Sequence, residues 1–440
     1  MRYTYYDKPA ECMLRGKIRD LQSELLVRQV KYVYDNVAPY RAKMDAARVK
    51  PSDIRSVKDI NKLPFNDKAD FRDNYPFGLL ACGRGDLARV QATSGTTGKM
   101  TVVGHTKKDL DIWSGLMARC LVNAGMTDKS LIHVAYGYGL FTGGLGVHLG
   151  AERLGAAVVP ASSGNTARQI MLIMDLKPDM LACTPSYAAY IADEMKNTGL
   201  RGSDIPLRIG LFGAEPWTEG MKKNLEDGLG IEAFDIFGLA EIMGPGVSVE
   251  CPAHDGMHIW EDHFLPEIVD PKTLEPITED GAAGELVFTT LTKEGMPLLR
   301  YRTKDLCTLN RQPCACGRAH ARMGRLIGRS DDMLIIRGVN VFPSQIETVL
   351  LKFRETAPHY QIIVNRAGNL DTLEIRVELN EGMFSDTVKG VEAIKRRLEK
   401  EMTDMLGISP VIRLCEPRSL PRSEGKAKRV VDNRVVRDQL

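Results

Sequence analysis

The sequence predicts an α/β fold: a large N-terminal domain with parallel sheets and helical crossovers, plus a small α+β C-terminal domain. Three observations point there. Between residues 131 and 236, short β-rich runs alternate with helical ones, the pattern of parallel strands connected by helices. Past Gly328-Arg329-Ser330-Asp331-Asp332 the texture changes, and strands and helices mix over about 110 residues, an ordinary size for a domain. Ahead of both lies a glycine- and hydroxyl-rich stretch, Thr93-Ser94-Gly95-Thr96-Thr97-Gly98-Lys99, whose glycines let the backbone turn with its amide hydrogens exposed.

From residue 18 to 37, apolar positions recur at helical spacing: Ile18, Leu21, Leu25, Leu26, Val30, Val33 and Val37. One long amphipathic helix therefore opens the chain. Pro51-Ser52-Asp53 and Asn66-Asp67-Lys68 look like later helix starts. Residues 1–85 read as a helical cap on a domain that reaches residue 330, and residues 331–440 as the second domain. Strands are expected at 131–135, 156–159, 180–184, 208–212 and 231–236, and helices at 166–176, 186–195 and 217–225. Tyr136-Gly137-Tyr138-Gly139, Gly213-Ala214-Glu215-Pro216 and Phe237-Gly238-Leu239-Ala240-Glu241 each follow a strand. Ligands of such sheets gather at the carboxyl ends of the strands, so these turns face one site. A more β-like section includes residues 284–290. In the second domain, strands at 333–336, 360–364 and 373–379 surround helices near 344–353 and 387–406.

A hydrophobic fraction of 43% with mixed charges is that of an ordinary globular enzyme. A net charge of +2 gives no bulk attraction to nucleic acid or membrane. No apolar run reaches the roughly 18 residues of a transmembrane helix. The N-terminus lacks the apolar core of a signal peptide, so the expected location is cytoplasmic. Nine scattered cysteines argue against a secreted disulfide framework. Cys12, Cys82, Cys120, Cys183, Cys307 and Cys415 stand singly and read as small hydrophobes. The other three stand in metal-like contexts. Cys251-Pro252-Ala253-His254 and Cys314-Ala315-Cys316-Gly317 offer three thiolates and one imidazole, the donor set of a closed, tetrahedral, structural Zn²⁺. His258 and His320 rival His254 as the fourth ligand.

The amides and hydroxyls of Thr93, Ser94, Gly95, Thr96, Thr97 and Gly98 can surround phosphate oxygens, and Lys99 adds a cation. A Walker A loop would need Gly where Thr93 stands and Ser or Thr where Met100 stands, so this is not one. It is not the dinucleotide fingerprint Gly-x-Gly-x-x-Gly either.

These motifs agree in order and spacing. The phosphate loop, Phe237-Gly238-Leu239-Ala240-Glu241, Tyr301-Arg302-Thr303-Lys304-Asp305, Gly328-Arg329-Ser330-Asp331-Asp332 and Gly425-Lys426 together resemble the adenylate-forming acyl-CoA ligases over nearly the whole chain. Tyr136 to Gly144, His258-Ile259-Trp260-Glu261-Asp262-His263-Phe264, Arg337 to Pro343 and Leu420 to Lys426 look like the branch that acts on aryl acetic acids. The resemblance implies ATP-dependent activation of such an acid, phenylacetate fitting best, to acyl-AMP. Thioester formation with coenzyme A follows, releasing AMP and pyrophosphate.

By the same resemblance, the residues from Thr93 to Lys99 would hold the β- and γ-phosphates, and Glu241 would bind Mg²⁺. Ala214, Glu215 and Pro216, with Asp235, Ile236, Phe237 and Gly238, would wall the adenine. Asp305 would accept the ribose hydroxyls. Arg329 or its near neighbour Arg325 would support ribose or phosphate, and Lys68 would reach phosphate from the cap. Lys426 would meet the carboxylate and the α-phosphate; locally it shares a basic run with Lys428 and Arg429, whose bland reading is a solvated face. Tyr136, Phe141, Gly143 and Gly144 would form the acid site, aromatic walls with glycine-made space. Asp331 would be the hinge of a mobile small domain, with 337–339 lining a coenzyme A channel in the second half-reaction. Asn340 stands where many relatives carry a phosphate-contacting arginine, which puts that contact in doubt. The implied partners are small molecules, with no nucleic acid or membrane, and a homodimer is common in the family. Two alternatives remain at this point: transfer of the acyl group to a carrier protein or amine, and a non-catalytic nucleotide-binding scaffold.

Overall fold

The structure, a computed structural model, describes residues 3–93, 100–330, 334–337, 339–367, 370–380, 388–422 and 429–434. The opening helix spans Arg15–Asn36 and buries Ile18, Gln22, Leu26, Gln29, Val30 and Val33 on one stripe. It ends at Val37, whose extended backbone makes it the N-cap of the next helix, Ala38–Ala46, with Pro39 in the first turn where a missing N–H costs nothing. Its two buried glutamines keep their amides paired. Gln22 Nε2 donates to the carbonyls of Glu261 (3.0 Å) and Phe264 (3.3 Å), and Gln29 Nε2 to that of Lys293 (2.7 Å).

The large domain is organised on one twelve-stranded sheet. Its parallel half runs Ala157–Val159, Leu131–Val134, Met180–Cys183, Ile209–Gly213, Glu232–Leu239 in spatial order. Met180–Cys183 and Ile209–Gly213 are buried at every position, as expected of parallel strands covered on both faces. The antiparallel half continues through Gly244–Glu250, Met257–Ile259, Arg322–Met323, Tyr301–Asn310, Ala283–Thr290 and Phe264–Val269. Glycine makes the join possible. A Cβ on Gly238 would lie 1.9 Å from the carbonyl oxygen of Gly244, and one on Gly213 would lie 2.0 Å from that of Ile236.

Two helices that periodicity did not single out, Lys107–Asn123 and Thr142–Leu154, pack closely against each other. The first is buried around most of its circumference, so it carries no clean amphipathic stripe to read. A Cβ at Gly150 would meet Met117 at 2.4 Å, so that glycine sets the helix–helix distance.

The small domain is a four-stranded sheet in the order Val411–Cys415, Leu370–Leu379, Thr356–Ala367, Val430–Asp432, packed with helices Pro343–Leu350 and Val388–Leu406. Leu370–Leu379 alternates buried and half-exposed positions over most of its length, as a sheet with one covered face requires. The sequence reading missed both outer strands. Val430–Asp432 has only three residues and directly follows a basic run.

Candidate active site

The stretch expected to bind phosphate lies in sequence between two antiparallel strands, Leu87–Ala92 and Val102–Thr106. Thr93 closes this hairpin: its N–H donates to the Thr101 carbonyl (3.0 Å) and its Oγ1 accepts from Thr101 N (3.2 Å). Ser94, Gly95, Thr96, Thr97, Gly98 and Lys99 lie outside the described residues, as do Asp331 and Lys426. The hairpin is tied to the expected acid site. Ala92 N donates to Leu140 O (2.9 Å), and Gln91 Nε2 donates to Phe141 O (2.9 Å).

The expected adenine turn follows Ile209–Gly213. Ala214 adopts φ +73°, a left-handed conformation that is strained for a residue with a Cβ. Glu215 Oε1 accepts from Ser186 N (2.7 Å). Burial raises Asp235 to a pKa of about 6, with Arg325 opposing. Phe237 stacks with Phe288 at 6.3 Å. Buried Ile236 pairs with Val249 across the strand join.

Glu241 is buried in the turn between Glu232–Leu239 and Gly244–Glu250. Sequence reasoning missed what holds that turn. Lys293 is fully buried, and its ammonium donates to the carbonyls of Glu241 (2.8 Å) and Ile242 (2.7 Å). Burial pulls the Lys293 pKa down to about 8 against the charges of Asp109 and Glu241. In sequence it sits in Thr292-Lys293-Glu294-Gly295, which carries the signal of an exposed turn.

Asp305 is buried on the strand Tyr301–Asn310, paired in register with Arg329, whose Nη1 lies 3.3 Å from its Oδ1. Of the two rival arginines, Arg329 is the one that lies beside Asp305. Arg325 is engaged elsewhere, 2.7 Å from Glu219 and with its guanidinium 4.9 Å from the Trp217 ring centroid. Asn66 bonds to both flanks of Tyr301, accepting from Arg302 N (2.8 Å) and donating to Arg300 O (3.1 Å). This lays the start of the exposed Lys68 helix beside the Asp305 strand. The charges of Glu241, Arg329, Asp305 and Asp67 all act on the buried Tyr301, whose pKa burial pushes well up. The residues expected at the metal and ribose sites thus lie near enough for their charges to be felt by one ring.

Tyr136 belongs to the main core, its pKa pushed well up by burial, and it feels Asp235 and Glu215. A Cβ on Gly143 would meet its ring at 3.3 Å, and one on Gly144 would meet Gly137 O at 2.8 Å. The glycines therefore admit the Tyr136 loop itself, a different use from the open space expected of them. Phe141 is 49% exposed at the start of the helix Thr142–Leu154.

The cysteine pairs meet. Sγ of Cys251, Cys314 and Cys316 and a nitrogen of His258 lie within 4.8 Å of one another, all four residues buried. His258 takes the place expected of His254, a correction with a clear cause. His254 Nδ1 contacts Lys222 Nζ (2.9 Å), and its Nε2 contacts Glu232 (3.0 Å). His320 is likewise committed, with Nδ1 accepting from Glu261 N (2.9 Å) and Nε2 donating to Ala10 O (2.9 Å). His258 Nδ1 donates to His320 O (3.2 Å), which turns Nε2 toward Cys316 Sγ at 3.2 Å. Cys251 and Cys314 sulfurs are 3.7 Å apart, and Gly317 at φ +82° makes the knuckle turn. Within this mutually hydrogen-bonded trio, Cys251 and Cys314 hold the Cys316 thiol down while their own are pushed up. The donor set fits zinc.

Residues 13–291 match the AMP-binding enzyme family, and residues 338–434 match the AMP-binding enzyme C-terminal domain. The chain therefore belongs to the adenylate-forming, AMP-binding enzymes. It is 51% identical to the phenylacetate-coenzyme A ligase of Thermus thermophilus, over 98% of this chain and 99% of that protein. It is 50% identical to the protein of the same name from Escherichia coli, over 97% and 98%. Within the family it thus stands in the acyl-CoA ligase branch, with phenylacetate-coenzyme A ligases as relatives along nearly its entire length. Its structure matches crystal structures of 2-hydroxyisobutyryl-CoA ligase at 27% identity, over 98% of this chain and 92% of that one. The TM-score is 0.93 against the postadenylation state with 2-HIB-AMP. It is 0.73 against the thioesterification state of the same enzyme, at equal coverage. Among the described residues, no helix is long and apolar enough to cross a membrane.

Proposed function

We propose that the protein activates an aryl acetic acid, phenylacetate in the first place, and joins it to coenzyme A. The acid's carboxylate oxygen attacks the α-phosphorus of ATP, and pyrophosphate leaves. The thiol of coenzyme A then attacks the acyl carbon, and AMP leaves. Two anions must meet in the first step, so catalysis is mostly alignment and charge neutralisation. The observation that carries the reading is the grouping of Glu241, Asp305, Arg329 and the Lys68 helix start about Tyr301.

In this reading Asp305 orients the ribose, and the Ala214–Glu215–Pro216 turn and Phe237 hold the adenine. Thr93 to Lys99 receive the leaving pyrophosphate, and Lys426 meets the carboxylate and α-phosphate. Glu241 would hold Mg²⁺, which when bound offsets phosphate charge. Tyr136 and Phe141 flank the acid. The chain divides at residues 330 and 331, with Asp331 as the hinge, and the 337–339 turn lines the coenzyme A path after rotation. Cys251, His258, Cys314 and Cys316 would hold a structural zinc ion far from the chemistry. The protein works in the cytoplasm, on small molecules.

A pyrophosphate-release screen over aryl and aliphatic acids, with and without coenzyme A, tests the reading. Phenylacetate should give the highest rate, with thioester formed only when coenzyme A is present. A preference for short aliphatic acids, or no thioester, would refute it.

A further inference from the structure

The small domain rests on two helices of the large one, Pro185–Asn197 and Glu219–Leu229. Most of the contacts are peripheral. His359 Nε2 lies 2.7 Å from Asp193 Oδ2, and Arg418 lies 3.8 Å from Glu194, with these side chains 14% to 53% exposed. Exposed pairs of this kind contribute little. Leu351 packs on Gly220, where a Cβ would meet it at 3.1 Å.

Arg429 is built differently. The basic run it ends reads as a solvated face, yet its side chain is only 16% exposed. Nη1 pairs with Glu347, itself 3% exposed, and donates to the Tyr360 hydroxyl at 2.9 Å. Both partners belong to the small domain, and the guanidinium also lies over the Tyr360 ring, 4.7 Å from its centroid. Nη2 crosses to the large domain and donates to Ser186 Oγ at 3.1 Å. The backbone N–H of that same serine donates to Glu215, the acid of the expected adenine turn. Glu347 is further fixed by the Tyr360 hydroxyl (2.9 Å) and, across the seam, by Thr218 Oγ1 (3.2 Å). Thr218 also caps the helix Glu219–Leu229. One guanidinium thus joins the small-domain core to the serine that braces the nucleotide wall. In sequence it stands three residues after Lys426, a reach of about 10 Å of chain.

We propose that Arg429 is a positioning residue for the adenylation half-reaction. By bridging Glu347 and Tyr360 to Ser186, it clamps the small domain onto the nucleotide wall while the acyl adenylate forms, and releases it for thioester formation. The proposal rests on the two-step reading above. It is consistent with the domain arrangement, which matches the postadenylation state of 2-hydroxyisobutyryl-CoA ligase better than its thioesterification state.

The test measures the half-reactions separately in the full-length protein. Adenylation is followed by ATP–pyrophosphate exchange with phenylacetate, and the second step by thioester formation from supplied phenylacetyl adenylate and coenzyme A. Arg429→Ala should cut exchange at least tenfold while changing thioester formation less than twofold. Arg429→Lys, which keeps the charge, should recover part of the loss. Ser186→Ala, a small change on the opposite side of the seam, should lower exchange severalfold in the same selective way. Equal losses in both steps with a lowered melting temperature, or no loss in exchange, would overturn the clamp and leave the functional reading standing. Failure of the unaltered protein to exchange pyrophosphate with any carboxylic acid would overturn both.

Discussion

Removal of the metal expected at Cys251, His258, Cys314 and Cys316 gives a sharp test, because the structure fixes both geometry and location. A tetrahedral zinc with Zn–S bonds of about 2.3 Å sets its sulfurs about 3.8 Å apart. The Cys251–Cys314 separation is 3.7 Å. Glu241 precedes the strand Gly244–Glu250 and Cys251 follows it, so seven residues at about 3.3 Å each put the cluster roughly 20 Å from the turn proposed to serve the nucleotide. The expected consequence is lost stability with preserved chemistry. A metal present at 1,000 times its dissociation constant adds about 4 kcal/mol to the folded state. At about 2 °C per kcal/mol for a chain of this size, Cys314→Ser or chelation should lower the melting temperature by about 8 °C. Pyrophosphate exchange at 25 °C should stay within about twofold of the unaltered enzyme, while its half-life at raised temperature shortens. Elemental analysis of the purified protein should find one zinc per chain. Absence of stoichiometric zinc, with melting temperature and activity unmoved by chelation, would refute the assignment.

Three further outcomes are expected. Lys426→Ala should abolish adenylate formation with nearly unchanged melting, since a single lysine in a polar tail contributes little to folding; unchanged pyrophosphate release would remove Lys426 from the mechanism. Lys293→Met should change the pH dependence of stability. The folded pKa of about 8 lies below that of the unfolded chain, so the fold binds fewer protons between about 8 and 10.5, and stability rises with pH across that window. Denaturant titrations should show that rise in the unaltered protein and its loss in the variant, which should also adenylate more slowly because the Glu241 and Ile242 carbonyls lose their donor. Asp235→Asn should act on the acid side. A folded pKa of about 6, above the ordinary 3.8, means that stability falls as pH rises from about 4 to 6, by on the order of 3 kcal/mol. The same titrations should find that fall absent in the variant; an identical slope would show that Asp235 ionises freely.

What could be read from the sequence follows from where the physics is local. The alternation that announced the parallel strands is a property of neighbouring residues, and the strands at Met180–Cys183 and Ile209–Gly213 lie where that alternation puts them. Cys251, Cys314 and Cys316 could be grouped because few residue types offer sulfur. Choosing among three histidines could not be local, because it depends on which imidazole is already engaged. Lys222 and Glu232 take His254, Glu261 and Ala10 take His320, and only His258 has Nε2 left to face the thiols. Lys293 was invisible for the same reason. Its partners are two carbonyls some fifty residues away, and nothing in a Thr-Lys-Glu-Gly turn records that the fold will bury it.

Arg429 sharpens the point, since it ends a short basic run that reads as a solvated face yet lies sheltered at the seam. If the seam opens between the proposed half-reactions, it cannot be held by a large apolar interface, which would be too stable to release on the timescale of turnover. Surface pairs such as Arg418–Glu194 contribute about 0–1 kcal/mol each and give orientation without permanence. A sheltered guanidinium against Glu347 adds directionality, but its desolvation offsets much of its attraction, so its net grip stays modest. Polar contacts of this kind define one arrangement by geometry while keeping the free-energy difference to the next arrangement small. That is what a protein needs if one small domain is to serve adenylation and thioester formation in turn.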